Sequence, residues 1–243
     1  MVELIEVTKR FGSKVAVDRL SLHVRRGELI AFLGPNGAGK TTTIKIICGL
    51  LRPTAGAVRI AGHDVSGNGH DVRQILGYVP DQPYLYEKLT GREFLQFVID
   101  MYGVDPAAGA RRMAELIDLF EMASYVDTLT ESYSHGMKQR LAFAAALVRD
   151  PPLLVVDEPM VGLDPKSARL VKDLLRARAS AGATVFMSTH TLEVAEQLAD
   201  TIAIVDRGRL VTCGTLDDLR SKHRMEGPLE QLFLQITSPT NEA

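Results

Sequence analysis

A chain of 243 residues, 46% of them hydrophobic, is long enough to bury the core of one large α/β domain or of a domain carrying an insert, and this composition excludes a disordered chain. Its 28 basic and 30 acidic residues leave a net charge of −2, which gives no whole-chain basic field, so no nucleic-acid partner is expected. Cys48 and Cys213 lie far apart with neither metal-ligand nor redox-pair spacing, and no apolar run approaches the roughly 20 residues that cross a bilayer.

Leu4–Val7 and Leu20–Val24 alternate apolar with polar residues, which predicts strands of a small antiparallel sheet; Val58–Ile60 reads as a further short strand. Phe11, beside a glycine in the connection, suits either edge packing or stacking on a flat ring. The apolar run Leu29–Leu33 predicts a buried parallel strand. It ends at Gly34, Pro35, Asn36, Gly37, Ala38, Gly39, Lys40 and Thr41, a full match to G-x-x-x-x-G-K-[ST], followed by Thr42. Small residues at that spacing let backbone N–H groups point at a phosphate chain, and a helix starting near Gly39 aims its positive end there. Lys40 then reaches the β- and γ-phosphates and Thr41 holds Mg²⁺. A glycine-rich turn with a solvated lysine is the plain alternative.

Residues 66–70 read as a loop, with His63 and His70 solvent-exposed. The prolines around Asp81 and Gln82 place both on a connection leaving a short strand at Gly77–Val79. From about residue 89 to 149, apolar residues recur at helical spacing with few strand signals, which predicts a helical insert. Within it, Ser134 and Gly136 stand at the start of an apolar helix, where a helix cap and an anion site are equally good readings. Leu153–Val156 predicts a buried strand ending in Asp157 and Glu158. Neighbouring strand residues face opposite sides, so the two acids have different tasks. Asp157 is placed to hold Mg²⁺ and Glu158 to take a proton from water, unless both merely solvate a turn. Asp164 before Pro165 is good capping chemistry for a helix over 167–181, and capping alone could explain it. A strand at Thr184–Ser188 brings His190 to the same sheet edge as the glycine-rich loop and the acid pair. Residues 202–205 and 209–211 read as a closing hairpin, and Leu229, Leu232, Phe233 and Ile236 as a small docking helix.

The glycine-rich loop, Ser134–Arg140, Asp157–Glu158, Gly162–Leu163–Asp164 and His190, taken in that order, resemble the ATP-binding subunit of ABC transporters over residues 2–220. That resemblance implies an α/β fold: a P-loop NTPase (RecA-like) core with a small antiparallel β subdomain and a helical subdomain insert. Residues 1–243 would form one ATPase domain, with a tail from about 215. It implies that Phe11 stacks on adenine, that residues 34–42 cradle ATP, and that Asp157 serves Mg²⁺. Glu158 would be the catalytic glutamate, Asp164 the acid of the following loop, and His190 the residue touching the γ-phosphate. Ser134 and Gly136 would contact ATP held by a second ATPase subunit, so two chains meet head to tail around two ATP.

The family further implies a separately encoded integral membrane permease and a peripheral position on the cytoplasmic face of the cell membrane. Residues 85–90 and 188–193 look like the exporting branch. Two departures stand out. Asp81 occupies the place of the family's Mg²⁺-sensing glutamine, with Gln82 one position later, so either could serve. His135 replaces a signature glycine and Met137 its last glutamine; His135 is expected to weaken the ATP-bound dimer or to add an imidazole contact. A soluble ABC ATPase acting on ribosomes would carry coiled coils, zinc cysteines or tandem domains, which this chain lacks. A small-molecule kinase would leave Ser134–Arg140, Asp164 and His190 unexplained.

Overall fold

The computed structural model describes residues 1–67, 69–223 and 229–237, without the side chains of His70 and His223. The expected exposure of His70 and the end of the expected tail therefore lie outside the described residues. Alternating patterns place β1 (Val2–Phe11) antiparallel to β2 (Lys14–Val24). The next strand, β3 (Leu29–Leu33), is buried at every residue and runs into α1 (Lys40–Ile47). β4 (Ala55–Ile60) and β5 (His63–Asp64) return to the first pair, giving the order β2-β1-β4-β5.

The expected loop over 66–70 is shorter than its glycines suggest. Helix α2 (Gly69–Ile75) already begins at Gly69, with Asp71 in its first turn where an acid favours the helix N-terminus. His63 is half-buried and lies 3.7 Å from Asp71, rather than free in solvent. β6 (Leu76–Val79) follows directly.

Three helices make up most of the expected insert: α3 (Gly91–Met101), α4 (Pro106–Leu119) and α5 (His135–Leu147). Thr90 starts α3 with a reciprocal cap, its hydroxyl accepting from the Glu93 amide while the Glu93 carboxylate accepts from the Thr90 amide. Asp105, followed by Pro106, caps α4. Arg149 pins the insert to the core: its guanidinium stacks 3.6 Å from the Tyr102 ring centroid and donates to the carbonyls of Arg73, Gln74 and Leu76.

The chain then alternates strand and helix: β7 (Leu153–Asp157), α6 (Pro165–Ser180), β8 (Thr184–Thr189), α7 (Leu192–Leu198), β9 (Thr201–Asp206), β10 (Arg209–Gly214), α8 (Leu216–His223) and α9 (Leu229–Thr237). Among the described residues the second sheet has the order β10-β9-β3-β8-β7-β6, parallel except for the β9–β10 hairpin. Period-2 alternation sends its side chains into two cores. Leu29, Ala31, Leu33, Leu154, Val156, Val185 and Met187 face the helical side, whereas Ile30, Phe32, Leu153, Val155 and Phe186 face α1 and the antiparallel sheet. Phe32 and Phe186 touch across neighbouring strands with centroids 5.3 Å apart. Cys48, at the end of α1, is buried in that second core. The rigid parallel sheet matters for function because it fixes the ends of β3, β8 and β7 side by side.

Candidate functional site

In the register of the sheet, Leu33 of β3 lies opposite Thr189 of β8, and Ser188 of β8 lies opposite Asp157 of β7. Three connections therefore leave one edge together: the loop 34–39, the residues after Asp157, and His190. Crossover connections of a parallel sheet leave their strand ends open to a ligand, and the α1 N-terminus points at this one.

The loop 34–39 needs its glycines for space as well as for φ. A Cβ on Gly34 would strike the Val205 carbonyl of β9, and one on Gly39 would strike the Ala16 carbonyl of β2. Gly37 and Gly39 also have φ of +83° and +99°, a region that side chains disfavour. Lys40, only 6% exposed, is held by the loop it leaves: Nζ donates to the carbonyls of Gly34 at 2.7 Å and Pro35 at 3.2 Å.

Lys40 Nζ also lies 3.3 Å from Glu158 Oε1, and Glu158 Oε2 lies 2.9 Å from His190 Nδ1 and accepts from the His190 amide. One carboxylate thus bridges the cation of the loop and the imidazole of the third strand. Glu158 reaches both because its backbone turns sharply, with φ of +49°, and its amide is tied to the Ser188 carbonyl and hydroxyl. A non-glycine residue in that region is a strained position, of the sort that clusters at working sites.

Asp157 is the last residue of β7, whereas Glu158 lies just past the strand in the turning backbone. Asp157 is buried and accepts a hydrogen bond from the Ser188 hydroxyl, at 2.5 Å. Burial pushes its carboxyl above the usual range, the Ser188 and Thr41 bonds oppose that rise, and the charges of Glu158 and Asp81 add to it. A raised native pKa means that the folded state holds this proton more tightly than the unfolded chain. Stability is therefore lost as pH rises from the ordinary aspartate range through the raised value. Asp157→Asn should accordingly raise the melting temperature of the nucleotide-free protein at pH 7, by roughly 2–4 °C for each kcal/mol of strain relieved. That advantage should vanish at a pH low enough to protonate both forms. Thermal melts at the two pH values check it, and an unchanged or lower Tm at pH 7 would contradict the buried-charge account.

Asp81 is half-buried and its charge acts on both Asp157 and Tyr78, whereas Gln82 is uncharged and exposed. Phe11, 51% exposed near the tip of the β1–β2 hairpin, has Lys9 Nζ 5.1 Å from its ring centroid and an open face. Asp164 caps α6 fully: Oδ1 accepts from the amides of Lys166 and Ser167, and Oδ2 accepts from the Ser167 hydroxyl at 2.5 Å. Ser134 caps α5 by accepting from the Met137 amide.

Ser134 and Gly136 do not join the loop 34–42 or Glu158 through any hydrogen bond among the described residues, and Ser134 stays exposed. Sequence spacing placed Arg140 at the end of the Ser134–Arg140 stretch without giving it a role, and did not mark Ser188 as part of this region. Arg140 donates to the Phe120 carbonyl at 3.0 Å and to the Ser167 hydroxyl at 2.7 Å, joining α5 to the cap of α6. Ser188 was visible only as one more strand residue. Its contact with Asp157 depends on the β7–β8 register, which no local pattern encodes.

A phosphate-binding loop after the first strand of a parallel sheet, with a buried carboxylate two strands away, defines a P-loop nucleotide hydrolase. A family profile described as "ABC transporter" matches residues 17–161. Among curated relatives, the daunorubicin/doxorubicin resistance ATP-binding protein DrrA of Streptomyces peucetius is 42% identical over 220 residues, covering 90% of this chain and 67% of that protein. The Nod factor export ATP-binding protein I of Ralstonia nicotianae is 37% identical over 211 residues, covering 87% and 66%. The probable multidrug ABC transporter ATP-binding protein YbhF of Escherichia coli is 37% identical over 240 residues, and there the chain spans only 41% of the relative's length.

A solved ATP-binding subunit of an ABC transporter superposes with a TM-score of 0.92 at 33% identity, covering 97% of this chain and 99% of that one. A dimeric cassette, MJ0796, in a post-hydrolysis state bound to ADP and Pi, superposes with a TM-score of 0.80 at 28% identity, covering 89% and 99%. The chain belongs to the ABC transporter family, as an ATP-binding and ATP-hydrolysing subunit.

Proposed function

We propose that this chain is the ATPase of an exporting transporter: two copies, or this chain and a related one, close head to tail around two ATP and drive a separate membrane permease. The observation that supports it best is the division of the site. Lys40, Asp157, Glu158 and His190 gather at one sheet edge, while Ser134 is exposed and Gly136 half-buried, apart from that edge, which suits contact with another subunit's nucleotide. The names of the drug-resistance and Nod-factor relatives support the exporting direction.

In this reading the amides of Gly34 to Thr42 cradle the phosphates, and Lys40 leaves the Gly34 and Pro35 carbonyls for the β- and γ-phosphates. Phe11 stacks on adenine. Glu158 accepts a proton from the attacking water, and His190, already bonded to Glu158, orients that carboxylate and meets the γ-phosphate. Asp164 sets the loop between them. The donor set at Thr41 and Asp157, with Asp81 or Gln82 beyond, consists of hard oxygen ligands that fit Mg²⁺. Phosphate oxygens of the nucleotide would complete the coordination, as is usual for Mg²⁺ held by one or two protein oxygens. The ion would supply positive charge to the β- and γ-phosphoryl oxygens.

No helix among the described residues is long and apolar enough to cross a membrane. We place the protein peripherally on the cytoplasmic face of the cell membrane, as one ATPase domain with the helical insert at about 89–149. A groove between the insert and the core, lined by Tyr84, Leu85, Phe94, Val98, Met101 and Tyr102, offers the permease an apolar seat beside Asp81; Tyr84 is 89% exposed there. Tagging the chain in its host, solubilising membranes gently and identifying co-purifying chains tests this. A multi-pass membrane protein is the expected result, and recovery of soluble factors or nucleic acid alone would overturn it.

A further inference from the structure

His135 is the first residue of α5, so its backbone is fixed by the helix and by the Ser134 cap. Its side chain is exposed, and Nε2 lies 3.2 Å from the Val161 carbonyl, on the loop between β7 and α6. The ring covers Gly162: a Cβ there would approach His135 Cδ2 to 2.9 Å and Nε2 to 3.2 Å, and Gly162 has φ of +72°. A side chain at 162 would therefore have to push the His135 ring aside, on a backbone that already favours glycine.

The loop that His135 holds is the one that carries Glu158. The Val161 amide donates to the Glu158 carbonyl at 3.2 Å, one tight turn from the group that bridges Lys40 and His190. At its far end the same loop is fixed by Asp164 and Ser167, and Ser167 accepts from Arg140. Helix α5 thus grips the loop at both ends, through His135 and through Arg140. A glycine at position 135, as the family signature has, would leave only the Arg140 grip.

We infer that His135 is a positioning residue that ties the helix start at Ser134–Gly136 to the turn carrying Glu158. Nucleotide of the second subunit arriving on Ser134 and Gly136 then sets the hydrolytic carboxylate of the first, so that each site reads the occupancy of the other. The inference rests on the head-to-tail dimer proposed above.

The test uses the full chain with ATP and Mg²⁺, and compares wild type with His135→Ala and His135→Gln, whose amide can still donate to the Val161 carbonyl. Wild type should show a Hill coefficient above 1 for ATP turnover. His135→Ala should lower kcat by roughly 5–10-fold, the worth of one hydrogen bond, and bring the Hill coefficient to about 1. Fluorescent-nucleotide affinity of the monomer should stay unchanged, and His135→Gln should restore both kcat and cooperativity.

Wild-type kcat and cooperativity in His135→Ala would overturn the inference, as would a loss that glutamine does not restore. A double-mutant cycle with Gly162→Ala gives a second arm: the alanine should cost less in a His135→Gly background, because the backbone strain is common to both and only the clash is removed. Additive effects would count against it. Failure of ATP-dependent dimerisation by light scattering in wild type would instead sink the underlying dimer, and so separates the two.

Discussion

Replacing Glu158 with glutamine lowers ATP turnover by roughly 10²–10⁴-fold, the usual contribution of a general base, and leaves ATP binding intact. The substitution keeps the side chain's size and its hydrogen bond to His190, but glutamine cannot take a proton. It also removes the charge that Lys40 faces at 3.3 Å in the nucleotide-free site. Lys40 then has one less competitor for phosphate, so nucleotide affinity should hold or rise. Single-turnover hydrolysis beside a fluorescent-nucleotide titration separates the two effects. Turnover within a few-fold of wild type would remove Glu158 from its role as base.

Lys40→Ala has the opposite signature. A charge-assisted hydrogen bond contributes about 1.5–3 kcal/mol, so loss of the lysine should weaken ATP binding by roughly 10–200-fold. In the empty protein the change leaves Glu158, 12% exposed, beside His190 without its cation. The nucleotide-free protein should therefore melt lower than wild type as well. Binding titrations and apo melts report these separately. Unchanged affinity would mean that Lys40 only fastens the loop to itself through the Gly34 and Pro35 carbonyls.

These two residues show how much of the site could be read from residue order. The spacing from Gly34 to Thr41 carries its own physics, because small residues, a lysine and a helix start must be adjacent in sequence to act together. Asp157 and Glu158 were separable into two tasks because strand alternation is local. The strands of the central sheet were legible as apolar runs bounded by turns. The contact of Glu158 with Lys40 and His190 was not, since it depends on the register of three strands and on a positive φ that a glutamate does not announce. The contact of His135 with Val161 was equally hidden; spacing marks His135 as a departure but not where its ring goes. Helix α2 was missed because glycines at 67 and 69 argue for a loop, and packing against β5 and β6 outweighed that weak propensity.

Cys48 caps the C-terminal end of α1, at the opposite end of that helix from the phosphate-binding loop, buried, with its thiol pushed well above the usual range by burial. A thiol reacts through its thiolate, so this one is silent toward alkylating reagents until the surrounding core opens. Its alkylation rate is thus a clock for opening of the nucleotide core, with the half-buried Cys213 as a faster internal reference in the same chain. Ligand that binds only the closed form slows such a clock by a factor of one plus its concentration divided by Kd, about 100-fold at a concentration 100 times Kd. The affinity of the empty subunit for ATP can thereby be weighed by mass spectrometry, without a fluorescent analogue and without any hydrolysis.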